Sequence, residues 1–282
     1  MTINHIFVVG AGTMGNGIAQ TAAVSGYQVT MMDVAAEPLE RGQASIAKSV
    51  EKLAKKGKLN EDQKKSALSI KGVTDLDEVS EADLVIEAAT ENPDLKVKLF
   101  ADLDSKARLE VVLASNTSSI SITNLGASTK RPDKVIGMHF FNPVPLMSLL
   151  EVVRGKDTND ETLATALEVG RQMGKTPVVV KDSPGFISNR ILCPMLNEAI
   201  YALDEGIADA EGIDTIMKLG MAHPIGPLAL ADLIGLDVVL FVMEVLHRDF
   251  ADDKYKPAQL LRRMVDEGKL GRKSGEGFYK YP

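Results

Sequence analysis

The sequence predicts an α/β protein in which a doubly wound parallel sheet is followed by an all-helical C-terminal domain. Three observations predict it. Short apolar runs alternate with longer segments of helical period through the first two thirds of the chain, the pattern of a sheet whose strands are joined by helices. A glycine-rich loop sits between the first such run and the first helix. After Pro184 the strand signals stop.

The elements follow in order. HIFVV reads as a first strand, followed by a helix from about Met14 and a second strand, QVTMMD. Long helices over roughly 36–69 precede DLVIEA, and a helix around 94–107 leads into VVLAS. A short helix near 121, the strands KVIGMHF and EVVR, a helix over 160–173 and the strand TPVVV complete the first part. The remainder reads as helices near 185–205, 209–219, 227–247 and 257–267. The boundary falls in KDSPGF, where a proline and a glycine punctuate the chain, giving domains 1–183 and 184–282. Apolar stretches such as LADLIGLDVVLFV are more than a small isolated bundle needs to bury, so a partner subunit is expected to cover part of them.

Composition narrows the function. A chain of 282 residues that is 45% hydrophobic can build a sizeable core, and a formal charge of −7 argues against a general nucleic-acid binder. The one cysteine, Cys193, cannot form an internal disulfide and fits a reducing compartment. MTINHIFVVGAG lacks the cationic start and apolar stretch of a signal peptide, and Asp232, Asp237 and Glu244 interrupt the most apolar helical stretch. The expectation is a cytoplasmic protein without a membrane span. The four histidines show no metal-ligand spacing, so no metal is expected.

Gly10, Gly12 and Gly15 form GAGTMG directly after a strand and at the start of a helix. In that context the first glycine permits a tight turn, the second lets backbone approach a pyrophosphate, and the third lets helix and strand pack closely. The loop residues Gly10, Ala11, Gly12, Thr13, Met14 and Gly15 are therefore candidate dinucleotide contacts, with the helix N-terminus facing the phosphates. The spacing alone is a weak signal. Asp33 sharpens it, because it ends the second strand where an acidic residue would bind the adenosine ribose hydroxyls and repel a 2′-phosphate. The first domain thus reads as Rossmann-like and NAD-binding, with a solvated turn aspartate as the competing reading.

His139 stands in the apolar run VIGMHFFNPVP. A lone histidine there is ordinarily a core residue satisfied by backbone. Beside a nicotinamide it has a second use, because oxidising an alcohol removes a hydroxyl proton and an imidazole suits that transfer.

The motifs VVGAGTMGNGIAQ, DLVIEAATEN, ASNTSSISIT, RPDKVIGMHFFNPVPLM, KDSPGFISNRIL, MKLGMAHPIGPLALADLIGLD and GRKSGEGFY span nearly the whole chain in order. In these the sequence resembles the short-chain L-3-hydroxyacyl-CoA dehydrogenases, in particular the bacterial 3-hydroxybutyryl-CoA dehydrogenases. The resemblance implies an NAD-dependent oxidoreductase of acyl-CoA metabolism, with His139 as general acid/base, Glu151 orienting its imidazole, and Ser118 and Asn189 contacting the substrate. For NAD it adds Glu91, Lys96, Ser118, Asn142 and Lys273. Taken singly these residues also read as loop, helix-surface or capping groups, and Lys273 as a solvated tail charge.

The segment SIAKSVEKLAKKGKL places Lys48, Lys52 and Lys56 four apart, a basic stripe on an acidic protein. By the resemblance, Ser49, Lys52 and Lys56 dock the phosphates of coenzyme A and Ser118 lies at its acyl end; without it the stripe is a solvated helix face. Ser148 stands where many relatives carry lysine. The resemblance also implies a homodimer through the helical domain. The competing functions are a CoA-independent 3-hydroxyacid or sugar-acid dehydrogenase and a noncatalytic NAD-binding protein.

Overall fold

The computed structural model of the chain describes residues 2–282. Two compact units divide it, one ending at Asp182 and the other beginning at Ser183. In the first, eight strands form one sheet: β1 (His5–Val9), β2 (Gln28–Met32), β3 (Lys71–Val73), β4 (Leu84–Glu87), β5 (Val112–Ser115), β6 (Val135–Phe140), β7 (Leu149–Arg154) and β8 (Thr176–Lys181). Six helices join them: α1 (Thr13–Val24), α2 (Ala36–Lys55), α3 (Glu61–Leu68), α4 (Pro93–Lys106), α5 (Ile122–Ala127) and α6 (Asp160–Gln172).

The spatial order is β3-β2-β1-β4-β5-β6-β7-β8. The chain starts in mid-sheet, winds outward through β2 and β3, and crosses back past β1 to β4. All five contacts among β1 to β6 are parallel. Every residue of β1, β4, β5 and β6 is buried, which is why these strands read as continuous apolar runs. Reversal of the winding between β1 and β4 opens a crevice at the carboxyl ends of the strands, where open α/β sheets bind ligands.

The parallel expectation fails at β7. This strand pairs antiparallel with β6, and β8 then runs parallel to β7. Only residues 141–148 separate β6 from β7. A parallel crossover requires about a dozen residues or more, so this short loop can only return the chain in the opposite direction. The short edge strand β3 was also not anticipated, since KGV carries no apolar run and is largely exposed.

The second unit is helical: α7 (Ser188–Asp204), α8 (Ala210–Gly220), α9 (Pro227–Ile234), α10 (Leu236–Phe250) and α11 (Gln259–Asp266). The single helix expected over 227–247 is two, because Gly235 takes φ +106° between them. The first helix begins at Ser188 rather than near 185, since Gly185 and Phe186 both have positive φ. Leu196, Ile200, Leu228, Leu236, Val239 and Leu246 form its core. Buried Asp232 accepts from the Phe278 and Tyr279 amides and the Tyr281 hydroxyl, tying the C-terminal segment to α9.

Candidate active site

The glycine loop leaves β1 and enters α1. Gly10 has φ +100°, and a Cβ there would stand 2.7 Å from the Ala88 carbonyl oxygen. A Cβ at Gly15 would lie 1.7 Å from the Gly10 carbonyl oxygen, so loop and helix touch as backbone. Gly12 differs. Its φ is −63°, and a Cβ there would meet nothing of the chain within 4 Å. The fold itself does not demand a glycine at that point, whereas the close approach of a ligand's phosphates would. No side chain caps α1, so its first N–H groups are available to an anion.

Asp33 directly follows β2 beside this loop, and its carboxylate accepts the Ala11 N–H at 2.8 Å. A cavity of about 280 Å³ is lined by Ala11, Gly12, Thr13, Asn16, Arg41 and Ser45 among others. Residues and space therefore fit the pyrophosphate end of a dinucleotide.

A second cavity of about 140 Å³ is lined by Met14, Glu91, Lys96, Asn116 and Thr117 with the neighbouring backbone. Its walls are the loops after β4 and β5, held from beneath by a buried network. Glu87 accepts Lys96 Nζ at 2.5 Å and Ser115 Oγ at 2.7 Å, while the Ser115 hydroxyl oxygen takes the Thr117 N–H at 3.1 Å. Lys96 is thus 1% exposed and ion-paired, not a helix-surface lysine. Above the network Glu91 accepts Thr117 Oγ1 at 2.7 Å, the Ser118 N–H at 2.7 Å and Ser118 Oγ at 3.0 Å.

His139 and Glu151 lie directly opposite each other in the β6–β7 ladder. The antiparallel return thus provides the juxtaposition. Their side chains meet with His139 Nδ1 2.8 Å from Glu151 Oε2, both residues buried. An ionised carboxylate only accepts, so Nδ1–H donates, and Nε2 becomes the ring nitrogen that can take up and return a proton. Phe141 packs on the imidazole with centroids 4.5 Å apart. Next to His139, the Phe140 N–H donates to Asn116 Oδ1 at 2.9 Å, tying β6 to the Ser118 loop.

Residues 5–183 match the NAD binding domain of 3-hydroxyacyl-CoA dehydrogenase, and residues 185–281 match its C-terminal domain. The chain belongs to the 3-hydroxyacyl-CoA dehydrogenase family. It is 56% identical to the probable 3-hydroxybutyryl-CoA dehydrogenase of Deinococcus radiodurans over 97% of this chain and 99% of that protein. It is 49% identical to the 3-hydroxybutyryl-CoA dehydrogenase of Bradyrhizobium diazoefficiens over 99% of this chain and 96% of the other. The crystal structure of (S)-3-hydroxybutyryl-CoA dehydrogenase from Ralstonia eutropha superposes with a TM-score of 0.96 at 56% identity, each chain fully covered.

Within this 3-hydroxyacyl-CoA dehydrogenase fold the other expected residues are placed as follows. Lys48, Lys52 and Lys56 are exposed along α2 and its end, with Ser49 half-buried beside them. Lys55 is turned aside, 3.4 Å from Glu51. Asn142 is exposed at the start of the β6–β7 loop. Asn189 and Lys273 belong to the second unit: the Asn189 N–H donates to the Gly185 carbonyl at 3.1 Å, and Lys273 Nζ donates to Asp237 at 2.6 Å. Cys193 is buried, and burial pushes its thiol up to about 12, far from a nucleophile. Among the described residues no cluster of His, Cys, Asp or Glu could hold a metal, and no helix is long and apolar enough to cross a membrane. Glu87, Asn116, Arg41 and Ser45 were not anticipated. Glu87 could have been suspected as an acid inside an otherwise apolar strand.

Proposed function

We propose that this chain is an NAD-dependent oxidoreductase interconverting (S)-3-hydroxyacyl-CoA and 3-oxoacyl-CoA, acting best on the four-carbon pair 3-hydroxybutyryl-CoA and acetoacetyl-CoA. The observation that carries it is the buried His139–Glu151 pair, 2.8 Å apart, on the strand that Asn116 ties to the Ser118 loop. The names of the relatives at 49% and 56% identity support the substrate class.

NAD, when bound, supplies the acceptor for the hydride of the substrate carbon. This chain's groups do the rest. Gly12, the N-terminus of α1 and Asp33 hold the dinucleotide, with Glu91, Lys96 and Asn142 contacting it nearer the nicotinamide. In the oxidative direction His139 Nε2 takes the proton of the 3-hydroxyl, and Glu151 stabilises the imidazolium that results. In reduction the imidazolium returns that proton to the ketone oxygen. Ser118 gives its hydroxyl proton to Glu91, and rotation about its C–O bond aims the same proton at the 3-oxygen, an oxyanion-type contribution. The apolar strand and Phe141 keep water from the transfer.

Ser49, Lys52 and Lys56 receive the coenzyme A phosphates on α2. The helical unit exposes Ile207, Ile216, Leu219, Met221 and Phe241, an apolar surface suited to a second copy of the chain, and we place the homodimer there. The one buried free thiol fits a cytoplasmic location.

His139→Gln tests the reading. The folded, NADH-binding variant is expected to lose about 10²- to 10⁴-fold in kcat. Turnover near that of the parent protein would refute the assignment.

A further inference from the structure

Lys175 is 9% exposed and follows α6 just before β8. Its Nζ donates to the carbonyl oxygens of Val144 at 2.5 Å and Met147 at 2.8 Å. No carboxylate pairs with it among the described residues, and burial alone pulls its pKa down. A buried cation held only by carbonyls is costly, and an apolar side chain of similar length would fill the space at lower cost. The two acceptors lie in the loop 141–148, which joins the strand of His139 to the strand of Glu151 and carries Asn142 as its second residue.

That loop has few other holds: at its far end the Ser148 carbonyl accepts the Thr176 N–H at 2.7 Å. Val144 is its buried anchor, packed so tightly on α1 that a Cβ at Gly17 would stand 3.0 Å from the Val144 Cβ. Leu146 and Met147 are 59% and 41% exposed, and their amides close only a local turn onto the Pro143 carbonyl.

We propose that Lys175 is a positioning residue for this active site, its ammonium clamping the 141–148 loop so that Asn142 is presented to the dinucleotide. The inference rests on the reading in which Asn142 contacts NAD. Lys175 touches no reacting atom and acts through the loop.

The test compares Lys175→Met, Asn142→Ala and the double variant by NADH titration, turnover and amide hydrogen exchange. Lys175→Met is expected to raise the NADH Kd about tenfold while kcat at saturating NADH changes less. In the Asn142→Ala background it should add nothing further, because both changes remove the same contact. Exchange of the Leu146 and Met147 amides should quicken at least about tenfold, and Lys175→Arg should restore much of the loss. A Kd like the parent's, or effects that simply add, would overturn the proposal. If Asn142→Ala leaves the Kd unaltered, the reading of Asn142 fails instead, and the clamp is judged on exchange alone: unchanged protection at Leu146 and Met147 overturns it. Should Lys175→Met not fold, Lys175→Gln takes its place with the same outcomes.

Discussion

Asp33 has its carboxylate fixed against the glycine loop by the Ala11 amide, in the place where an adenosine ribose would present its hydroxyls or a 2′-phosphate. Hydrogen bonds to a charged group are worth about 1.5–3 kcal/mol, so Asp33→Ala should reduce the preference for NADH over NADPH roughly 10- to 100-fold. The ratio of kcat/KM for the two cofactors measures it, and an unchanged ratio would remove Asp33 from cofactor choice. Asp33, Gly10, Gly15 and His139 were legible in the sequence because each breaks a local pattern at a recognisable place. Glu87, Asn116 and Lys175 were not. Asn116 and Lys175 reach partners more than 20 positions away, and Glu87 joins its nearby loop amides and Lys96 to the distant Ser115; no local spacing announces such contacts.

At the scale of the element, α2 presses against the glycine loop at one end, where Gly42 would set a Cβ 2.8 Å from the Ala11 carbonyl oxygen, and carries its lysines at the other. Lys48, Lys52 and Lys56 form no ion pair among the described residues, whereas Lys55 is spent on Glu51. Free cations on an exposed helix face suit a polyanionic ligand. Reversing two of them, Lys52→Glu with Lys56→Glu, should raise KM for acetoacetyl-CoA roughly 10- to 30-fold, as expected from losing two exposed contacts and adding repulsion. A pantetheine thioester without the phosphates should be barely affected, and an equal rise for both would show that the stripe is not the dock. Helix and strand order was readable from periodicity, but direction was not read at β7. The clue was present in the brevity of FNPVPLMS. The break at Gly235 was hidden because the apolar period continues across it, and only the glycine's positive φ divides the helix.

For the whole molecule, the two units separate at Asp182 and Ser183 in the segment whose proline and glycine interrupt the pattern. Seven motifs in order carried the family resemblance, and matches over 5–183 and 185–281 bear it out. Chain-length preference is a property of packed side chains around the acyl group, and no motif states it. The reaction proposed for this chain is hydride transfer that requires a CoA thioester. It is tested most directly by following NADH absorbance as purified protein meets acetoacetyl-CoA, with free acetoacetate as the control. Rapid NADH loss with the thioester and none with the free acid is the expected result. Loss with acetoacetate alone would contradict it in favour of a CoA-independent hydroxyacid dehydrogenase, and bound NADH with no loss on either would contradict it in favour of a noncatalytic binder.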